Sequence, residues 1–257
     1  MDWPVDVMKL ARHLGIRTKF TVIGVSGGGP YALACAHAIP ERLKGVGVVA
    51  GIGPWQGFKT TEGMPWPRRI NWLFGKYGGE AAVRVSRRDM LHVIEVALAG
   101  NLTSTGNVRD LGRAHSQIRT FVEELKQRIN DDEHPSIKRF CESQMTAFVQ
   151  GPAGVAHENK LDTRPWDFDV KDIKFKGVKF FHGDRDENCP LWHAEYLVER
   201  LPGCRLQVYK GEDHHAVTKG WERLQTILRE IMDPNVLGLV KEFPKLRVME
   251  KVTKSKR

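Results

Sequence analysis

Ser26 stands in the run Gly24-Val25-Ser26-Gly27-Gly28, a G-x-S-x-G turn. A serine hydroxyl is a weak nucleophile unless a base within hydrogen-bond reach takes its proton and an acid fixes the tautomer of that base. Two later loops hold candidate partners: His182-Gly183-Asp184-Arg185-Asp186-Glu187-Asn188-Cys189-Pro190, and Gly211-Glu212-Asp213-His214-His215. Either Asp184 or Asp186 could serve as the acid, and either His214 or His215 as the base. Together with Ser26 they would perform acyl transfer. The same carboxylates and imidazoles, with His182 and Asp213, would also suit a hard or borderline cation. No H-E-x-x-H or comparable helix spacing accompanies them, so no metal site is expected.

The elements that position Ser26 are legible on both sides of it. Lys19 to Val25 is rich in aromatic and β-branched residues and reads as a buried strand, whereas Pro30 to Ala36 consists of helix formers. Close approach of strand and helix predicts glycine at both 24 and 28. The N–H groups at the start of that helix would face charge developing on a bound carbonyl, with Gly27 N–H as the first oxyanion donor.

Residues 2–15 read as an amphipathic helix with Trp3, Val7, Met8, Ala11 and Leu14 on one face, stopped at Gly15. Leu43 to Ile52 reads as a second buried strand. From about Pro54 to Trp166 the pattern turns helical and irregular, with helical spacing over 68–77, 79–99, 115–130 and 136–149, broken at Gly78-Gly79, Gly100-Asn101 and His134-Pro135. Strands and helices then alternate again: strand Val178 to His182, helix Leu191 to Leu201, strand Arg205 to Tyr209, helix Val217 to Met232. That alternation predicts a parallel sheet covered on both faces, with ligands bound at the carboxyl ends of the strands. Four segments result: a core segment over 1–54 with the serine turn, a helical insertion over 55–166, a second core segment over 167–235 and a basic tail over 236–257. Trp55, Trp66, Trp72 and Trp166 lie in or beside the insertion, where they would pack it or wall an apolar pocket. Gly51-Ile52-Gly53-Pro54-Trp55-Gln56-Gly57 approaches a dinucleotide fingerprint, yet its third glycine is displaced and Pro54 interrupts the turn.

The 257 residues are 41% hydrophobic and 28% charged, an ordinary globular composition. Cys35, Cys141, Cys189 and Cys204 have no C-x-x-C spacing, so neither a zinc site nor a disulfide framework is suggested. No apolar run is long enough for a stable membrane insertion and the N-terminus lacks a signal-peptide layout, so a cytoplasmic protein is expected. The net charge of +9 invites a nucleic-acid reading, but residues 241–257 hold seven Lys or Arg against two Glu and so carry part of it locally. The tail reads as a solvated extension, and no nucleic-acid partner is expected.

Three motifs, GVSGGGPYALACA, HGDRDENCP and KGEDHHAV, give the chain its resemblance to the α/β-hydrolase superfamily, and within it to esterases and lactonase-like members with a helical cap. The second is similar to that family's HG-x-x-D-x-x-x-P loop and the third to its PGEGH-type loop. The resemblance implies a partial α/β-hydrolase fold, an α/β architecture in which a mostly parallel sheet is flanked by helices and carries a cap insertion. It assigns the nucleophile to Ser26, the acid to Asp186, four residues before Pro190, and the base to His214, three after Gly211. It implies a small ester or lactone as substrate and no cofactor. Asp213 departs from the glycine usual at that position in the family.

The resemblance covers residues 2 to about 233 and only the later part of the family. Members carry further strands before the serine strand, with a loop supplying a second oxyanion donor. Their absence would leave Phe20, Val22, Ile23 and Val25 along an unpaired edge that a second copy of the chain could cover as a homodimer. A catalytically silent binding module is therefore the alternative expectation.

Overall fold

In a computed structural model of the chain, the described residues are 2–55, 59–81, 83–84, 143, 146, 149–215, 217 and 221–232. Their elements run α1 (Trp3–His13), β1 (Phe20–Val25), α2 (Gly29–Ala38), β2 (Leu43–Val49), α3 (Trp66–Tyr77), α4 (Ala153–Asp162), β3 (Val178–Gly183), α5 (Trp192–Arg200), β4 (Arg205–Tyr209) and α6 (Trp221–Ile231). The chain divides into two compact units. The first comprises Met1–Gly51, Phe168–Asp184 and Leu197–Arg257; the second comprises Ile52–Asp167 and Arg185–Tyr196.

The first unit holds a four-stranded parallel sheet in the order β1-β2-β3-β4. β2 and β3 are buried along almost their whole length, because each has a strand on both sides and helices above and below. Phe180 and Phe181 are both 1% exposed, and each such burial stabilises the fold by ~2 kcal/mol. The period of two along β2 sorts its residues between the helical layers. Gly45 and Gly47 face α6, where a side chain at Gly47 would lie 2.2 Å from the Ile231 Cδ1. Val49 continues that face and packs with Phe181, Ile227 and Ile231. Gly24 pairs with Val48 across the sheet, and both turn toward the start of α2, which therefore covers the opposite face.

In the second unit α3 packs on α4, with Asn159 against Gly75 and a small cluster of Val83, Val155 and Ala156. Trp55 stacks on Trp72 with ring centroids 5.9 Å apart, and the Lys76 ammonium lies 4.1 Å from the centre of Trp55. Asp162 sits at the end of α4. Burial, reinforced by Glu158 one turn earlier, pushes its carboxyl up to about 6.

Most elements fall within a few residues of their sequence expectation, and Arg205–Tyr209 matches it at both ends. Three elements differ from expectation. Only Pro4 and Ala11 of α1 are buried, while Trp3 and Leu14, expected on the apolar face, are exposed along with Leu10; Trp3 still meets α2, its ring edge-on to Tyr31 at 5.2 Å. β2 stops at Val49 rather than Ile52, because Ala50 takes a φ of +47° and bends the chain out of the sheet. α4 was not marked out by apolar spacing, since AGVAHENKLD buries only Ala156. The expected helices over 79–99, 115–130 and 136–149 fall wholly or largely outside the described residues, as does the basic tail. Among the described residues no helix is long and apolar enough to cross a membrane.

Candidate active site

Val25 ends β1 with extended backbone, and Ser26 then takes a φ of +55°, a left-handed conformation that costs a non-glycine residue about 1–2 kcal/mol. Ser26–Gly28 forms one turn of 3₁₀ helix and runs into α2, with Pro30 pre-set for the first helical turn. The bend folds Gly28 back over Gly24. A Cβ at Gly24 would lie 2.1 Å from the Gly28 carbonyl oxygen, so glycine is required there. The expectation for position 28 is corrected: Gly28 has helical backbone and a side chain there would meet nothing within 4 Å.

His214 reaches the bend from the loop after β4, its Nε2 lying 3.0 Å from Ser26 Oγ. For Nε2 to accept the hydroxyl proton, the imidazole must carry its own proton on Nδ1. Several contacts hold the loop. Gly211 takes a φ of +79° and donates its N–H to Asp184 Oδ1 at 2.6 Å. Asp184 N–H in turn donates to the Tyr209 carbonyl, locking the ends of β3 and β4 together. Glu212 lies flat on Gly183, where a Cβ would come within 2.2 Å of the Glu212 carbonyl oxygen. The Glu212 carboxylate accepts from Arg223 of α6 at 3.3 Å, and the guanidinium covers the Tyr209 ring at 4.3 Å. Burial and the nearby Glu230 raise the Tyr209 phenol above its ordinary value, with Arg223 opposing. Asp213, the departure from the family's glycine, accepts the His215 N–H at 2.9 Å and so closes a local turn around His214.

The first unit thus brings Ser26 and His214 together, with Gly27 in the turn following the hydroxyl. Asp184, one candidate for the acid, is exposed and ties Gly211 in place. His215, the other candidate base, is exposed with its ring edge-on to His214 at 5.1 Å. Asp186 belongs to the second unit. It is 4% exposed, and its Oδ1 accepts the N–H groups of Asn188 at 2.8 Å and Cys189 at 2.7 Å. Sequence reasoning missed Arg223 and the loop-tying role of Asp184. No local pattern signals a pair eleven residues apart.

No protein-family model and no curated protein matches the chain. Solved structures do. A hydrolase from Pseudomonas aeruginosa PA01 aligns at 18% identity over 89% of this chain and 69% of its own, with a TM-score of 0.52. An esterase from Exiguobacterium antarcticum aligns at 16% identity over 93% and 72%, with a TM-score of 0.51. A bromoperoxidase from Bacillus anthracis aligns at 15% identity over 90% and 73%, with a TM-score of 0.50. At such identities the likeness is one of fold. The chain has the α/β-hydrolase fold, in part, with a parallel sheet flanked by helices on both faces.

Proposed function

We propose that the protein is a serine hydrolase that cleaves a carboxylic ester or lactone of a small apolar substrate through Ser26, His214 and Asp186. The observation that carries this reading is the 3.0 Å approach of His214 Nε2 to a serine hydroxyl held at positive φ on the carboxyl end of a parallel strand. Ser26 Oγ attacks the carbonyl carbon while His214 takes its proton. The carbonyl oxygen becomes an oxyanion, to which Gly27 N–H donates. Collapse breaks the ester bond, and the leaving alkoxide takes the proton from His214. Water then repeats the sequence on the acyl-serine, returning the acid product and free Ser26. The acid's role in this reading falls to Asp186, which would fix the tautomer of His214 and stabilise the imidazolium.

A fluorophosphonate probe labels Ser26 in this reading, and hydrolysis of a short-chain p-nitrophenyl ester falls by at least about 10³-fold in Ser26→Ala. Turnover or labelling unchanged in that variant would overturn it.

One observation favours a second reading. Among the described residues β1 has a strand on one side only, and Ile23 and Val25 are 37% and 48% exposed. An apolar edge of this kind suits pairing with another strand, a second copy of the chain included, and a binding module without turnover. A folded chain inert to the probe, whose sedimentation gives a dimer lost on Ile23→Lys, would establish that reading.

A further inference from the structure

His193, the second residue of α5, is 0% exposed and both its ring nitrogens are engaged. The Gly53 N–H donates to Nδ1 at 3.1 Å, so the ring proton sits on Nε2, which donates to the Thr60 carbonyl at 2.8 Å. A protonated imidazole would set a donor against the Gly53 N–H, so this arrangement requires the neutral ring and removes His193 from acid–base chemistry. Gly53 packs directly on the His193 side chain, where a Cβ would lie 3.3 Å from the His193 Cβ.

The neighbouring contacts run between the same two segments. Trp192 Nε1 donates to the Glu62 carbonyl at 2.9 Å, and Gly63, at a φ of +84°, packs on Pro190. The Pro190 carbonyl accepts the His193 N–H at 2.8 Å. Pro190 closes the turn in which Asn188 and Cys189 donate to Asp186. Gly53 and residues 59–63 are therefore fastened to the turn 186–190 through His193, Trp192 and Pro190, and both side-chain bonds of His193 are buried.

We infer that His193 is a positioning residue whose neutral imidazole ties Gly53 and Thr60 to the Asp186 turn and so fixes the carboxylate in place. This rests on Asp186 acting as the acid in the reading above. The ring is a rigid spacer with an acceptor on one side and a donor on the other.

The test combines turnover with a readout independent of activity. Cys189 is 4% exposed and donates its N–H to Asp186, so its alkylation by iodoacetamide, located by peptide mass spectrometry, reports opening of the turn. Cys35, in the other unit and 1% exposed, reports global unfolding; burial pushes its thiol up to about 11. In His193→Phe, which leaves the Gly53 N–H and Thr60 carbonyl buried without partners, Cys189 labelling rises about tenfold while Cys35 labelling is unchanged. His193→Asn, able to accept from Gly53, and His193→Gln, able to donate to Thr60, fall between and serve if the Phe variant does not fold. Kinetically, His193→Phe lowers kcat with KM little changed, and adds nothing to Asp186→Asn in the double variant. Cys189 labelling that stays flat, or that rises in step with Cys35 in all three variants, overturns the inference, and so do additive losses with Asp186→Asn. If Ser26→Ala retains activity the catalytic reading falls, while the labelling still decides the clamp.

Discussion

The loop 211–215 after β4 is held by charged side chains near solvent, while the turn 186–190 after β3 is held by buried backbone bonds and packing. Around His214 the ties are an exposed carboxylate, Asp184, and an ion pair, Arg223 with Glu212, whose side chains are 31% and 30% exposed. Around Asp186 the equivalent groups are Cys189 and His193, both buried. Charge near solvent fixes a loop cheaply but yields to salt, protonation and competing water. Buried bonds resist all three and fail only when shape is lost. The proposed base is thus the adjustable partner and the proposed acid the rigid one.

The comparison breaks first, and by most, at the two aspartates. Asp186→Asn should lower kcat for a short-chain ester by about 10⁴-fold through the wrong imidazole tautomer, whereas Asp184→Asn should cost about tenfold, since it weakens one tie to Gly211 and leaves the rest. Equal losses in steady-state assays would erase the distinction between acid and tether. Next comes Gly183→Ala. Its Cβ would be driven into the Glu212 carbonyl, and a loss of about 1–3 kcal/mol in a denaturant titration should accompany a fall in kcat/KM.

Arg223→Met is gentler. It removes a half-exposed ion pair, so stability should change by less than about 1 kcal/mol. Raising the salt from 0.05 to about 1 M should lower wild-type kcat/KM slightly and leave this variant unmoved, because the salt-sensitive tie is already absent. The smallest effect on turnover is expected at Asp162, remote in sequence from both loops. Its folded pKa is raised from 3.8 to about 6, so the folded state binds more protons than the unfolded chain between those values. Stability therefore falls as pH rises through that window. Asp162→Asn should flatten that slope in thermal melts recorded between the two pH values.

Much of this was legible beforehand, unevenly. The strands were read well because short apolar runs bounded by glycine and proline carry their own boundaries: Phe20–Val25 and Arg205–Tyr209 needed no tertiary information. The serine turn declared itself through Gly24, whose requirement is local, and the same reasoning overreached at Gly28, where space depends on what lies outside the turn. The α1 face was misread at Leu14, which looks like a core residue whatever surrounds it yet is 61% exposed, while Pro4 and Ala11 are buried. Arg223, Asp184 and His193 were invisible as functional supports because each acts on a residue at least eleven positions away. The tryptophans were half legible: Trp55 and Trp72 stack, but Trp66 is 69% exposed.

Ser26 is not alone in its backbone conformation. Val25 pairs with Val49 in the sheet, and the next residue on each strand, Ser26 and Ala50, turns left-handed at +55° and +47°. Adjacent parallel strands thus leave the sheet through the same kind of corner, one bearing a hydroxyl that meets an imidazole and the other a methyl group sealed in the interior. The same strained corner is thus used twice at one end of the sheet, and what sets the two apart is the side chain placed on it and the loop that leans over it.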